Sequence, residues 1–303
     1  MPTASRPTAL LLGAPTASGK SAVALRLAER HGLEIVVADA MQVYRGLDVG
    51  TAKPSAAERA RVPHHGLDLV GPRDAFSVAA WVAHAEAAIH DAAARGVTCL
   101  VVGGTGFYLD ALAEGLPTVP AADPDVQAPL WARVEAEGIE PLLAELRAVA
   151  PEDAERAQRN PRRVVRSLEV WRRTGRPPSA FPRRAPRVAV DRTWLRPPLA
   201  ALEPRIEARA RRMLAGGWPQ EAAALDAAAL ATAAQAIGYR EAAALARGER
   251  SEAEVLGAVV RATRRYARRQ RTWFTRHPAE RTFEAIAEDV EGALEAWVAE
   301  GPS

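Results

Sequence analysis

Cysteine is almost missing from this chain of 303 residues: Cys99 stands alone, inside the apolar run 97–102. One thiol excludes a disulfide framework and a cysteine-rich metal site, and its apolar surroundings suit a buried strand residue better than a nucleophile. No apolar run approaches the length of a membrane span, and residues 1–8 lack the charged-then-apolar layout of a secretory signal. A cytoplasmic protein with no membrane contact is therefore expected. Internal repeats and long low-complexity tracts are also lacking. With 48% hydrophobic residues, the chain has enough apolar material for one large domain and a smaller one. Acid is scarce in two places. Between Arg156 and Arg192, twelve arginines meet only Glu169 and Asp191, and between Arg261 and Arg276 seven arginines meet no acid. Acidic residues gather in 123–155 and after Glu280, so the net charge of +3 conceals two basic blocks. Local positive fields suit a polyanion; solvated arginine-rich helix faces are the plainer alternative.

What is present is a phosphate loop. Gly13-Ala14-Pro15-Thr16-Ala17-Ser18-Gly19-Lys20-Ser21 follows the apolar run 9–12 and leads into the helix-like 23–29. Strand, glycine-rich loop and helix arrive in the order found in ATP-binding and other nucleotide-binding loops. Backbone N–H groups and a helix N-terminus then face a diphosphate or triphosphate. Lys20 supplies a mobile positive charge and Ser21 a hydroxyl for Mg²⁺. Five residues separate Gly13 from Gly19 where the usual pattern has four, so Ala14 stands where glycine is expected. A methyl group fits there if φ is negative. An ordinary strand-to-helix turn is the alternative.

The first third alternates strand and helix signals: 9–12, a helix from Ser21, 35–38, a helix at 78–94, then 98–102. This predicts an α/β fold with a parallel sheet, whose functional residues collect at the carboxyl ends of strands. A P-loop NTPase-like core is expected from 1–117 and 189–303. A helical insert is expected at 118–188. The proline-laden stretch 177–198 reads as an irregular connection, and helices are expected from Leu202 onward, near 205–214, 221–230, 251–274 and 285–300.

Asp39 ends the second strand, where its carboxylate can accept a proton or merely cap the turn. Gly103-Gly104-Thr105-Gly106 ends another strand, where backbone approaches a ligand closely and Thr105 offers a hydroxyl. In the helix after Arg261, residues 261, 264, 265 and 268 share a face, with Tyr266, Gln270 and Trp273 on a neighbouring one. Phosphate and base contact, or a core stripe flanked by solvated arginines, both fit. Arg159, Arg162, Arg163 and Arg166 form a comparable stripe, with Val164, Leu168 and Trp171 facing inward. His64 and His65 lack further ligands at metal spacing and read as structural.

Together these segments closely resemble the tRNA dimethylallyltransferase family, which transfers a dimethylallyl group from dimethylallyl diphosphate to N6 of adenosine 37 in tRNAs that read codons beginning with U. The resemblance covers most of the chain. Its motifs are Pro15-Thr16-Ala17-Ser18-Gly19-Lys20-Ser21, Ala38-Asp39-Ala40-Met41-Gln42-Val43-Tyr44-Arg45-Gly46, Gly50-Thr51-Ala52-Lys53-Pro54 and Val62-Pro63-His64-His65. Gly103-Gly104-Thr105-Gly106-Phe107-Tyr108, Arg162-Arg163-Val164-Val165-Arg166-Ser167-Leu168-Glu169-Val170 and Gln235-Ala236-Ile237-Gly238-Tyr239-Arg240-Glu241 follow. Arg264-Arg265-Tyr266-Ala267-Arg268-Arg269-Gln270-Arg271-Thr272-Trp273-Phe274 completes the series.

The resemblance implies a P-loop enzyme, with diphosphate held by Thr16, Ala17, Ser18, Gly19, Lys20, Ser21 and Arg209. Mg²⁺ would sit on Ser21. Asp39 is implied as the base for the adenine amine, with Thr105 hydrogen-bonding beside it. Contact with the tRNA anticodon stem-loop is implied for Asp39, Ala40, Met41, Gln42 and Thr105, for Gln127, and for Arg162, Arg163, Val164, Val165 and Arg166. The same is implied for Gln235, Ala236, Ile237, Gly238, Tyr239 and Arg240, and for Arg268, Arg269, Gln270, Arg271, Thr272, Trp273, Phe274 and Thr275. The insert would close over the stem-loop from the side opposite the core, and a monomer is expected. Gln127 stands where the family usually places an arginine near the leaving group; Arg133 or another insert arginine substitutes, or the rate falls. Glu203 departs likewise from a family tyrosine. A P-loop kinase, a prenyltransferase of free adenine nucleotides and a non-catalytic RNA-binding relic are the rival readings. The basic insert and the last long helix argue for tRNA over the first two.

Overall fold

The structure is a computed structural model that describes residues 6–301. Strand β1 (Thr8–Gly13) runs into the phosphate loop and helix α1 (Lys20–His31), then β2 (Glu34–Ala38), α2 (Ala56–Arg61), β3 (His64–His65), α3 (Val78–Ala94), β4 (Cys99–Gly103) and α4 (Gly106–Glu114). Four helices follow, α5 (Pro124–Glu137), α6 (Glu140–Val149), α7 (Pro151–Ala157) and α8 (Pro161–Thr174). The chain returns through β5 (Ala189–Leu195) to α9 (Leu199–Ala215), α10 (Trp218–Ala223), α11 (Ala227–Ala233), α12 (Tyr239–Ala246), α13 (Glu252–Arg276), β6 (Arg281–Phe283) and α14 (Glu291–Glu300). The chain divides into two compact units, Met1–Ala113 with Pro186–Ser303, and Glu114–Ala185. Among the described residues no helix is long and apolar enough to cross a membrane.

The first unit is an α/β core around a six-stranded sheet of order β3-β2-β4-β1-β5-β6, every pair parallel. β2 and β4 are buried end to end and β1 from Ala9 onward, as near-continuous Leu, Val, Ile and Ala runs require when helices cover both faces. Register pairs Gly13 with Gly103 and Ala38 with Gly103, which brings the carboxyl ends of β1, β4 and β2 side by side. Gly103 lies where a side chain would collide: an added Cβ would sit 2.3 Å from the Ala38 carbonyl oxygen. Helix α1 packs Val23, Leu25, Leu27 and Ala28 against this sheet and stops at Gly32, whose φ of 63° fits the left-handed helix end.

β5 lies inside the stretch read from sequence as an irregular connection, and β6 precedes the closing helix where no strand was expected. The reason is polar residues in the core. Asp191 of β5 is buried, yet its carboxylate accepts from Trp297 Nε1 at 3.1 Å and from Arg281 at 3.1 and 3.2 Å. Such partners satisfy a buried charge but break the apolar run that marks a strand. Glu34 in β2 is the same case, held by Arg95 at 2.6 and 3.0 Å and by His65 at 2.7 Å. The helix expected at 221–230 is two helices, with Asp226 capping the second through Ala229 N.

The second unit is helical, with a core of its own built from Leu130, Leu142, Leu143, Leu146, Val164, Val165 and Leu168. Buried Glu169 organises one side of it. Its carboxylate accepts from Asp123 N at 2.8 Å and Gln127 Nε2 at 2.6 Å, and pairs with Arg166 at 2.7 Å and Arg173 at 3.1 Å.

Candidate active site

The phosphate loop of the first unit is shaped by two residues with positive φ, Ala17 at 64° and Gly19 at 86°. Gly19 has a second reason to lack a side chain, because an added Cβ would lie 2.4 Å from the Glu288 carboxylate. Ala14 is buried and is not among the positive-φ residues, so its methyl group fits without strain. Gly19 caps α1 with no side-chain hydrogen bond; in the first turn Lys20 N donates to Ser18 Oγ at 3.4 Å and Ala22 N to Gly19 O at 3.1 Å, which leaves Ser21 N with no acceptor among the described residues. Arg205 braces the loop from outside, donating to Ala17 O at 2.8 Å and to Glu288 at 2.6 Å.

Positive charge gathers at this loop from distant sequence. Arg209 of α9 donates from Nη1 to Thr16 Oγ1 at 3.0 Å and from Nη2 to Thr51 O at 3.4 Å. Desolvation pulls the Lys20 ammonium from its ordinary 10.5 to about 8, helped by the neighbouring Arg209 guanidinium and opposed by Asp39. Burial lowers the Arg209 pKa as well, again against Asp39. Two cations forced together out of water, with one carboxylate nearby, form a site short of negative charge.

Asp39 follows β2. Its Oδ1 accepts from Met41 N at 2.8 Å and Gln42 N at 3.3 Å, so the turn-capping role is real. Among the described residues Oδ2 accepts no hydrogen bond, leaving one oxygen for chemistry. Thr105 follows β4 and lies beside Tyr266 of α13, whose phenol is pushed up to about 12, by burial first and then by the charge of Asp39. Tyr266 was read from sequence only as a helix-face aromatic; here it touches the field of Asp39, Arg209 and Arg269. Burial and the charges of Tyr44 and Asp39 push Tyr108 up also. Lys20, Asp39 and Thr105, at three adjacent strand ends, and Arg209 of α9 therefore come together.

Helix α13 covers these strand ends with a row spaced i, i+4, i+7. Tyr266 meets Thr105, and Gln270 accepts from Thr16 N at 2.9 Å while donating to Gly104 O at 2.7 Å. Trp273 packs beside Gly106. Phe274 and Trp273 close on Trp194 of β5, with ring centroids 5.2 and 6.1 Å apart. Gln270 and Phe274 are thus buried supports of the loop rather than solvent-facing side chains. The outward face carries Arg261, Arg264, Arg265, Arg268 and Arg269. Arg268, Arg271, Thr272, Thr275 and Arg276 line a recess with Leu199.

Of the segment 235–240, Gln235 and Arg240 are exposed, Ala236 and Ile237 half-buried, and Gly238 and Tyr239 buried. In the loop after β2, Ala40, Met41 and Gln42 are half-buried, and Gln42 Nε2 donates to Thr51 O at 3.1 Å. Lys53, buried, donates to Tyr44 O, Asp48 and Asp68 at 2.8, 2.6 and 2.7 Å and fixes the far end of that loop.

In the helical unit, Arg162 and Arg163 are exposed on α8 while Val164 and Val165 are buried in its core. Arg166 is half-buried, bonded to Glu169 and to the Pro120 carbonyl. Gln127 gives its amide to Glu169, and Arg133 is held by Glu145 at 2.7 Å.

Cys99 is buried, and desolvation pushes its thiol up to about 12, so it is no nucleophile. His65 pairs with Glu34, His64 with the Val62 carbonyl, and His84 Nε2 accepts from Gly66 N at 3.1 Å. No group of three or more His, Cys, Asp or Glu suited to a metal occurs among the described residues. A cation here would instead share an exposed hydroxyl, Ser21, with the oxygens of a bound diphosphate. That oxygen-only, largely substrate-borne ligand set fits Mg²⁺.

A family model described as IPP transferase matches residues 42–277, and one described as isopentenyl transferase matches residues 7–63. The tRNA dimethylallyltransferase of Thermus thermophilus is 50% identical over 272 residues, 89% of this chain and 90% of that protein. Among solved structures, the tRNA isopentenylpyrophosphate transferase of Bacillus halodurans superposes with a TM-score of 0.68 at 31% identity, covering 98% of this chain and 96% of that one. A eukaryotic dimethylallyltransferase acting on tRNA shares the fold, with a TM-score of 0.75 at 22% identity over 97% of this chain and 80% of its own.

Proposed function

The chain belongs to the tRNA dimethylallyltransferase family and is a transferase that prenylates tRNA; from that premise we propose that its crevice takes dimethylallyl diphosphate and that Asp39, Thr105, Lys20 and Arg209 carry the transfer. The observation that carries the residue assignment is their convergence at the carboxyl ends of β1, β2 and β4.

The diphosphate lies along the loop from Thr16 to Ser21, meeting the first-turn Ser21 N–H of α1, Lys20 and Arg209. Two desolvated cations bind an anion that restores the charge balance each of them lacks, and they hold it more tightly as the C1–O bond of the donor breaks and charge moves onto the leaving diphosphate. Mg²⁺, when bound at Ser21, supplies further neutralisation of that charge. The adenine N6 lone pair is delocalised into the ring, so attack on C1 is aided when its proton leaves in the same step. Asp39 takes that proton on Oδ2, while Oδ1 stays tied to Met41 N and Gln42 N and fixes the carboxylate plane. Thr105, beside Tyr266, hydrogen-bonds at the same position. The base is drawn out of its stack, an opening that costs roughly a few kcal/mol and is offset by backbone contacts.

Those contacts come from exposed arginines: Arg268 and Arg269 of α13, the recess around Arg271 and Thr275, Arg240, and Arg162 and Arg163 in the helical unit. Gln127 gives its amide to Glu169, beside Arg166 and Arg173. The chain's tRNA substrate supports a cytoplasmic location.

Labelled dimethylallyl diphosphate and Mg²⁺, offered with an unmodified anticodon stem-loop carrying three adenosines beside the anticodon and in parallel with free AMP, tests the reading. Label on the RNA alone is the expected result. Label on AMP alone, or on neither, refutes it.

A further inference from the structure

Residues 48, 49 and 50 turn three successive backbone N–H groups onto one side chain. Glu221 of α10 accepts from Asp48 N at 2.9 Å and Val49 N at 2.7 Å through Oε2, and from Gly50 N at 3.0 Å and the Tyr239 hydroxyl at 2.6 Å through Oε1. Consecutive amides that converge in this way form an anion cradle, and here the anion is built into the protein. Bonds to an ionised acceptor are about twice as strong as neutral ones, so four of them pin the turn firmly. The Thr51 hydroxyl closes it by donating to Leu47 O at 2.6 Å.

The residue that follows the cradle is the one that reaches the active site. The Thr51 carbonyl accepts from Gln42 Nε2 at 3.1 Å and from Arg209 Nη2 at 3.4 Å, while Arg209 Nη1 holds Thr16 of the phosphate loop at 3.0 Å. Glu221 stands on the helix that follows α9, and the turn 48–51 is where its hydrogen bonds and that of Arg209 meet. We infer that Glu221 is a positioning residue for the donor site: it fixes the turn 48–51 so that the Thr51 carbonyl aims Arg209 at the diphosphate and Gln42 at the crevice. The inference rests on the reading of Arg209 as a diphosphate-binding arginine. It also gives Tyr239 a task, that of completing the carboxylate's shell from the segment 235–240.

Glu221→Gln is nearly isosteric but turns an acceptor into an amide whose N–H₂ faces donors. Its KM for dimethylallyl diphosphate is expected to rise about tenfold with kcat within about twofold, the size of effect that losing charge-assisted bonds at one remove produces. Tyr239→Phe removes one of the four bonds, and about a threefold rise is expected; it carries the test if Glu221→Gln does not fold. Adding Glu221→Gln to Arg209→Ala is expected to raise KM no further than Arg209→Ala alone, because the path has already been cut. A residue that only stabilises the fold would lower the melting temperature and leave donor KM unmoved. Unchanged donor KM in both Glu221→Gln and Tyr239→Phe, beside a raised KM in Arg209→Ala, overturns the inference, as does full additivity in the double variant. An unchanged KM in Arg209→Ala removes the diphosphate reading itself, and this inference with it.

Discussion

Lys20 makes the phosphate loop a source of instability. Desolvation and Arg209 bring its pKa from an ordinary 10.5 to about 8 despite the opposing pull of Asp39. Each tenfold change in proton affinity is worth about 1.4 kcal/mol, so a folded chain with Lys20 charged at neutral pH gives up on the order of 3 kcal/mol relative to the unfolded chain. Lys20→Met keeps the apolar stem and removes the charge. Without donor, this variant is expected to exceed the parent in unfolding free energy by roughly 2–3 kcal/mol at pH 7. The sign with pH follows from proton counting. Below about pH 8 both states of the parent carry the proton and the full penalty applies. Between about 8 and 10.5 the unfolded state holds more protons than the folded one, so the parent gains stability as pH rises and the difference closes. Above 10.5 Lys20 is neutral in both states and no difference remains. Urea unfolding of both proteins at intervals from pH 7 to 11 measures this directly. A difference that is absent at pH 7, or that does not shrink through that window, refutes the desolvated-lysine account. The same variant is expected to lose most of its use of dimethylallyl diphosphate, since the charge that destabilises the loop is the charge proposed to bind the donor.

Asp39→Asn keeps the acceptor for Met41 N and Gln42 N but removes the base; tRNA binding is expected to survive while the single-turnover rate falls by about 10²- to 10⁴-fold, and a normal rate would end the base assignment. Replacing Arg162 and Arg163 together with alanine is expected to weaken tRNA affinity and to lower the slope of log affinity against log salt by about two, measured by filter binding; an unchanged slope takes α8 off the RNA surface. Gly103→Ala forces a methyl group to 2.3 Å from the Ala38 carbonyl, so a stability loss of about 1–3 kcal/mol is expected, together with slower turnover as the strand end bearing Asp39 shifts. Full stability in a denaturant melt would show that β2 and β4 separate freely.

The phosphate loop was legible because everything that makes it is local: an apolar strand, glycine and serine in the turn, and a helix that starts at once. Asp39 and Thr105 were legible for the same reason, each standing just past an apolar run that had to be a buried parallel strand. The exposed arginines of α8 and α13 followed from helical periodicity. β5 and β6 were not legible, because Asp191 breaks the apolar run of one and its partners, Arg281 and Trp297, lie about a hundred residues away. For the face of α13 that carries Gln270, periodicity left base contact and a core stripe open, and only packing on Trp194, Thr16 and Gly104 decided that Gln270 and Phe274 turn inward.

Sequence by itself therefore determined where the phosphate loop lies and which polar residues stand at the neighbouring strand ends, since near neighbours set backbone geometry and hydrophobic period. Tertiary structure alone decided which distant side chain completes each site. Arg209 reaches Thr16 across 193 positions and Glu221 reaches Gly50 across 171. A charged side chain carries no local mark of its partner; the partner is settled when packing leaves one buried ion a single set of groups that can satisfy it.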